Sequence, residues 1–272
     1  MAASEGVDLE WAIVDYTRIK LGKQTTTSRK YSNKIEGQAK ECVDHLFKKF
    51  GKKMEIYHSD EDVPGIGSIY AKPEPKTDIV IFSGSKKYFV SVKMEGPIQL
   101  ASGQGNSTAE LFSAAAEGLS NANQKKVLTS IIKALKTMPT RLLSESNFQR
   151  IMDEGSEKVI NEFVKKGKII QDKSYDYWLE NNKPQLMASL LKFVKSNDDF
   201  FDALIREALT GEKTLKDYKG AVANSIISPA GFYEINDAYV NKLKPKIKMD
   251  LRAKSRGGIS SVAFRIETKG SV

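Results

Sequence analysis

The feature that most constrains this chain is a pair of apolar segments, Lys76-Thr-Asp-Ile-Val-Ile-Phe82 and Lys87-Tyr-Phe-Val-Ser-Val-Lys93, joined by the polar turn Ser83-Gly-Ser-Lys86. They predict two neighbouring strands. Side chains alternate between strand faces, so Tyr88, Val90, Val92 and Met94 share one face and Phe89, Ser91, Lys93 and Glu95 the other. The first set is apolar throughout and should pack on the core. The second sets a lysine beside Asp78 of the neighbouring strand, an arrangement suited to a metal-dependent hydrolytic site.

An amphipathic helix is predicted over 30–50, where Ile35, Ala39, Cys42, Val43, Leu46, Phe47 and Phe50 recur at helical spacing. Taking roughly 100° per residue, Glu36 falls within about 75° of the centre of that face and Glu41 points nearly opposite. Glu36 is read either as an acid serving a site or as an ordinary flank carboxylate.

Residues 30–120 resemble the PD-(D/E)XK nuclease superfamily, which includes restriction endonucleases, resolvases and repair nucleases. The resemblance implies Asp78 as first Mg²⁺ ligand, Lys93 as the lysine that orients or activates water, and the Val92 carbonyl as a further ligand. Two positions depart from the family pattern: Thr77 stands where proline is usual, and Ser91 stands where a second acid is usual. Serine brings no carboxylate to a hard cation. One subgroup of restriction enzymes carries Ser-x-Lys and takes its acid from the following helix. By that resemblance Glu110 is the preferred substitute, on a helix capped by Ser107 or Thr108. Glu95, on the strand face of Lys93 and roughly 7 Å further along, competes with it. Glu36 is the candidate third acid from the first helix of the fold. The cofactor implied is Mg²⁺, with Mn²⁺ as a substitute. The activity implied is endonucleolytic hydrolysis of double-stranded DNA by a restriction-type enzyme, usually a homodimer or higher oligomer. The alternative is a catalytically inactive nuclease-like protein that binds nucleic acid or serves assembly.

Composition excludes other chemistries. One cysteine rules out an internal disulfide, and with two histidines it cannot build the usual zinc sets. His45 lies away from the apolar helix face and is expected to be solvated. His58 enters the acidic loop Ser59-Asp-Glu-Asp-Val-Pro-Gly65, read as a solvated turn. Neither a P-loop nor a GxGxxG turn occurs. Apolar runs are strand-sized, and Met1-Ala-Ala-Ser-Glu-Gly lacks the basic start and apolar core of a signal peptide. A cytoplasmic, reducing compartment without membrane contact is expected.

The net charge of +9 is uneven: residues 241–272 hold nine Lys/Arg against Asp250 and Glu267. Lys246, Lys248, Asp250, Arg252 and Lys254 alternate with Ile247, Met249, Leu251 and Ala253 before the turn at Ser255-Arg-Gly-Gly258. With Val262-Ala-Phe-Arg-Ile-Glu267 this predicts a β-hairpin with one basic face. Lys246, Lys248, Arg252, Lys254, Arg256 and Arg265 are its candidate phosphate contacts. The intervening chain reads as helices: one at Val127–Leu135 ending before Pro139, one or two marked by Phe148 to Val164, and a pair around Asn197-Asp-Asp199. Tyr175, Tyr177 and Trp178 form an aromatic cluster, and Asn224–Tyr233 reads as a loop.

The expected fold is α/β: a restriction-endonuclease-like mixed β-sheet core flanked by helices, with a long helical insertion and a C-terminal basic hairpin. The expected divisions of one elaborated domain, 1–272, are a core at 30–120, a helical insertion at 121–215 and a β region at 225–272.

Overall fold

The computed structural model describes residues 5–25, 27–69, 75–103, 105–136, 142–143, 175–256 and 259–270. It is a mixed α/β fold in two compact units. Unit 1 comprises 1–98, 206–246 and 268–272; unit 2 comprises 99–205 and 247–267. The division differs from the expected 30–120 core. Unit 1 takes in the N-terminal helix and the β segments near 225–234, and the basic hairpin falls with the helical block.

Unit 1 is built on a five-stranded sheet of order β1-β2-β3-β6-β7: β1 (Met54–His58), β2 (Ile79–Ser83), β3 (Lys86–Val92), β6 (Ser225–Ser228) and β7 (Gly231–Glu234). Pairs β1–β2, β2–β3 and β6–β7 are antiparallel; β3–β6 is parallel, with Val90 opposite Ser225 and Val92 opposite Ile227. A parallel pair needs a long crossover, and residues 93–224 supply it. Asn224 sets the register, accepting from the Phe89 N–H through Oδ1 (3.0 Å) and donating its own N–H to the Phe89 carbonyl (2.8 Å).

One sheet face packs on α1 (Glu5–Lys20) and α2 (Asn33–Phe50). Leu9 and Ile13, then Ile35, Ala39, Cys42 and Leu46, meet Ile56, Ile79, Ile81, Val90, Val92 and Ile227 in one core. Tyr88 and Met94 join it, the strand face expected to be inward. The opposite face carries a smaller cluster of Val63, Ile69 and Val80, with Tyr57, Phe82 and Phe89 against it. α2 starts at Ser32, whose side chain accepts from the Ile35 N–H, and ends at Gly51 with φ 65°. Burial pushes the Cys42 thiol up to about 12, so it is an inert core residue.

Two local expectations change. His45 is not solvated: its ring Nε2 donates to the Pro229 carbonyl at 2.9 Å and ties α2 to the β6–β7 turn. Asn224–Tyr233 is a hairpin. Its first strand, Ser225–Ser228, is buried on both faces, so it shows no polar alternation. Gly231 makes the turn at φ 153°, where a Cβ would lie 2.8 Å from the Tyr233 hydroxyl.

In unit 2, β9 (Ile259–Thr268) pairs with β4 (Gln99–Gly103), β5 (Leu142–Leu143) and β8 (Ile247–Arg256). Around them lie α3 (Gly105–Ala115), α4 (Ala122–Lys136), α5 (Tyr175–Lys195) and the start of α6 (Asp198–Thr210). Phe112 packs against Phe200 and Phe264, and Phe193 against Phe200. β4 occupies what reads as a loop after Lys93. Ser107 and Thr108 lie inside α3 and do not cap it: the Thr108 hydroxyl donates to the Gly103 carbonyl at 2.9 Å. The stripe from Phe148 to Val164 and the side chains of Tyr175, Tyr177 and Trp178 lie outside the described residues. No helix among the described residues is long and apolar enough to cross a membrane.

Candidate active site in unit 1

Asp78 sits immediately before β2, and its N–H donates to the Val90 carbonyl (3.0 Å). Its side chain then continues the ladder where the backbone leaves it. The Val92 N–H donates to Asp78 Oδ2 at 2.7 Å and the Ser91 hydroxyl donates to the same oxygen at 3.1 Å. Val92 therefore meets Asp78 through its N–H. Ser91 is buried, and its hydroxyl is spent on Asp78.

Two charges bear on this carboxylate. Burial, then the carboxylate of Glu10 on α1, push the Asp78 carboxyl up to about 6; the ammonium of Lys93, the Val92 N–H and the Ser91 hydroxyl pull it back. Lys93 is half-buried just past the end of β3, its N–H bonded to the Ile227 carbonyl at 2.8 Å. Lys93 and Glu10 are thus the two charged side chains that bear on the Asp78 carboxyl, and Glu10 was not among the expected acids.

Glu10 is held by His58, which is not solvated but 1% exposed. His58 Nδ1 takes the Asp60 N–H at 3.1 Å, and Nε2 lies 3.3 Å from Glu10 Oε2. The ring stacks on Trp11, the neighbour of Glu10 on α1, with centroids 3.9 Å apart and planes at 11°. The turn after β1 is fixed in its turn. The His58 N–H donates to Glu61 Oε2 (2.7 Å), and Arg18 grips Glu61 with two bonds of 2.9 and 2.8 Å while donating to the Ile56 carbonyl. The Ser59 N–H donates to the Asp78 carbonyl at 2.9 Å.

Of the other expected acids, Glu36 and Glu95 belong to unit 1 and Glu110 to unit 2. Glu36 bonds to the Tyr16 hydroxyl, whose pKa is raised by burial and then by this carboxylate, and pairs with Lys40 of its own helix at 3.6 Å. Glu95 is not on a strand face, because β3 ends at Val92; it is exposed, and its N–H donates to Gln38 Oε1. Glu110 is an exposed residue of α3 in unit 2, whereas Glu10, Asp78, Ser91 and Lys93 all belong to unit 1.

Sequence reading missed Glu10 because it missed α1. Leu9, Trp11, Ala12, Ile13, Val14, Asp15, Thr17 and Arg18 are all buried, so α1 shows no one-sided apolar stripe. The usable signal was an acid lodged inside the apolar run Leu9–Val14.

The hairpin forms as expected, but its basic face is partly neutralised. Lys248 and Arg252 are exposed and Lys246 is half-buried. Asp250 pairs with Lys183 of α5 at 2.8 Å. Arg265 is not a free phosphate contact: it lies 2.7 Å from Glu267, both side chains four-fifths covered. The side chains of Lys254 and Arg256 lie outside the described residues. Among family models, curated proteins and solved structures, none matches this chain.

Proposed function

We propose that this chain is a metal-dependent DNA endonuclease of the PD-(D/E)XK type, with Glu10, Asp78 and Lys93 as its site. The observation that carries the reading is the Asp78 carboxylate, fixed at the start of β2 by the Ser91 hydroxyl and the Val92 N–H of the paired strand, with Lys93 the next residue along that strand. A mixed sheet flanked by helices is compatible with the core that the family resemblance implies, and by that resemblance Asp78 and Lys93 would stand at its motif positions. Glu10 takes the part expected of an acid from the first helix.

The donor set suits Mg²⁺ rather than a soft metal. Mg²⁺ keeps several waters and needs only one or two protein carboxylates beside substrate phosphate. Glu10 and Asp78 supply two, held close enough that one raises the other. Both hydrogen bonds to Asp78 from described residues fall on Oδ2, so Oδ1 is the oxygen offered to a cation. No group of three or more His, Cys, Asp or Glu that could hold a metal occurs among the described residues.

Each residue then has a role. Glu10 and Asp78 hold the cation. Ser91 and the Val92 N–H fix the Asp78 rotamer. Lys93 orients the attacking water or meets charge growing on the phosphoryl oxygens. When bound, Mg²⁺ lowers the pKa of a coordinated water and stabilises developing negative charge. Lys248 and Arg252 contribute non-specific attraction for the duplex backbone.

Ser91 favours a second reading, a nuclease-like nucleic-acid-binding or assembly protein without catalysis, because its hydroxyl stands where a third carboxylate would. Supercoiled plasmid incubated with Mg²⁺ or with EDTA separates the two. The expected result is nicking that requires Mg²⁺, falls at least 100-fold in Asp78→Ala and Lys93→Ala, and survives in Glu36→Ala and Glu110→Ala. Salt-sensitive binding with no cleavage at any metal concentration would leave the second reading in its place. Loss of cleavage in Glu110→Ala would extend the ligand set into unit 2.

A further inference from the structure

The end of β1 and the turn that follows touch Glu10 through a side chain and Asp78 through its backbone. The His58 side chain reaches Glu10, and the Ser59 N–H holds the carbonyl of Asp78. This is unusual material for a turn that reads as solvated and acidic. His58 and Ser59 are each 1% exposed, and Val63 is fully buried.

The protonation pattern of the ring follows from its partners. Nδ1 faces the Asp60 N–H at 3.1 Å and the Asp60 carboxylate at 3.5 Å; a backbone N–H can only donate, so in the neutral ring the closer contact makes Nδ1 the acceptor. The ring proton of the neutral imidazole is then on Nε2, which points at Glu10 Oε2 from 3.3 Å. The ring plane is fixed by its stack on Trp11. The backbone beneath it is fixed by Glu61, itself clamped by Arg18. The Nε2–H donor is therefore set by four neighbours before any ligand arrives, and Glu10 sits on a different element from Asp78.

We propose that His58 is a positioning residue that holds the Glu10 carboxylate against Asp78, so that the 58–61 turn sets the spacing of the two acids for a divalent ion. This rests on the nuclease reading above. His58 acts through Glu10 and takes no proton from substrate. Outer partners that orient metal-binding carboxylates are commonly worth 10–100-fold in metal affinity.

Two variants separate donation from packing. His58→Phe keeps a flat ring to stack on Trp11 and removes the donor. His58→Gln places an amide N–H near the position of Nε2. Mn²⁺ affinity is measured by calorimetry on wild type, His58→Phe and His58→Gln, with melting temperatures taken in EDTA. The inference expects His58→Phe to bind Mn²⁺ about 10–100-fold more weakly than wild type, and His58→Gln to recover most of that loss. It also expects the order of metal affinities not to follow the order of melting temperatures.

Wild-type affinity in His58→Phe overturns the positioning role while leaving the nuclease reading intact. Equal loss of affinity in both variants, in step with their melting temperatures, overturns it as well, because that pattern marks packing alone. Absence of Mn²⁺ binding in the wild type removes the nuclease reading, and this inference with it.

Discussion

At the scale of single residues, the site is a contest over the charge of Asp78. Burial and Glu10 favour the protonated form; Lys93, the Val92 N–H and the Ser91 hydroxyl favour the ionised one, and the first pair wins. A carboxyl raised above its ordinary value near 3.8 favours the folded state only while it carries its proton. That contribution is complete below about pH 3.8 and is lost as pH rises through about 6. Asp78→Asn removes the charge but keeps an oxygen for the Val92 N–H. It should therefore be more stable than wild type at pH 7.5 without metal, by about 1–2 kcal/mol given about 1.4 kcal/mol per pKa unit. The advantage should shrink towards pH 4. Urea unfolding of both proteins in EDTA across pH 4–8 measures it. A less stable Asp78→Asn at pH 7.5 would mean that the ionised carboxylate is satisfied in the fold and has no need of a cation. The two strands that Asp78 and Lys93 flank were legible, because their alternation is readable from sequence alone. Glu10 was not, because its approach to Asp78 joins residues 68 positions apart through a helix that has no apolar period.

At the scale of elements, legibility followed burial. α2 is buried on one side only, so its stripe announced it. β3 has a core face and a mixed face, and it was read correctly. α1 and β6 are buried nearly all round, and such elements lose the contrast that periodicity needs. The turn after β1 shows the same effect from the polar side. Its acids read as solvated, yet Glu61 is 16% exposed because Arg18, at 10%, neutralises it. Removing one member of a covered ion pair leaves the other uncompensated. Arg18→Ala should cost about 3 kcal/mol. Arg18→Ala combined with Glu61→Ala should cost less than the two single changes added together, a coupling that a double-mutant cycle of unfolding free energies reads directly. Strict additivity would show that the pair does not brace the turn, and the support assumed for His58 would be gone.

At the scale of the whole molecule, the uneven charge decides where a long polyanion is drawn. Unit 2 carries the hairpin, and on its described residues Lys248 and Arg252 are the exposed cations of the face expected to meet phosphate. Asp250 and Glu267 each occupy a neighbouring cation, Lys183 and Arg265, so the face offers less than the raw count of basic residues suggests. That reduction was illegible in sequence, because Lys183 and Asp250 are brought together only by packing of α5 on β8. Each phosphate neutralised on B-DNA contributes about −0.9 to the slope of log K against log salt. Charge reversal is avoided here, since it would add repulsion of its own. Lys248→Ala with Arg252→Ala, made on Asp78→Asn to prevent cleavage, should flatten the slope by about 1.8 if both residues contact phosphate. Fluorescence anisotropy of a labelled duplex in EDTA over 50–300 mM KCl measures it. Mn²⁺ affinity, read on the same double change made without Asp78→Asn, should stay at the wild-type value, because neither Lys248 nor Arg252 is among the groups that bear on Asp78. An unchanged slope would assign Lys248 and Arg252 to solvation of a sheet edge and would leave the attraction for nucleic acid to other parts of the chain.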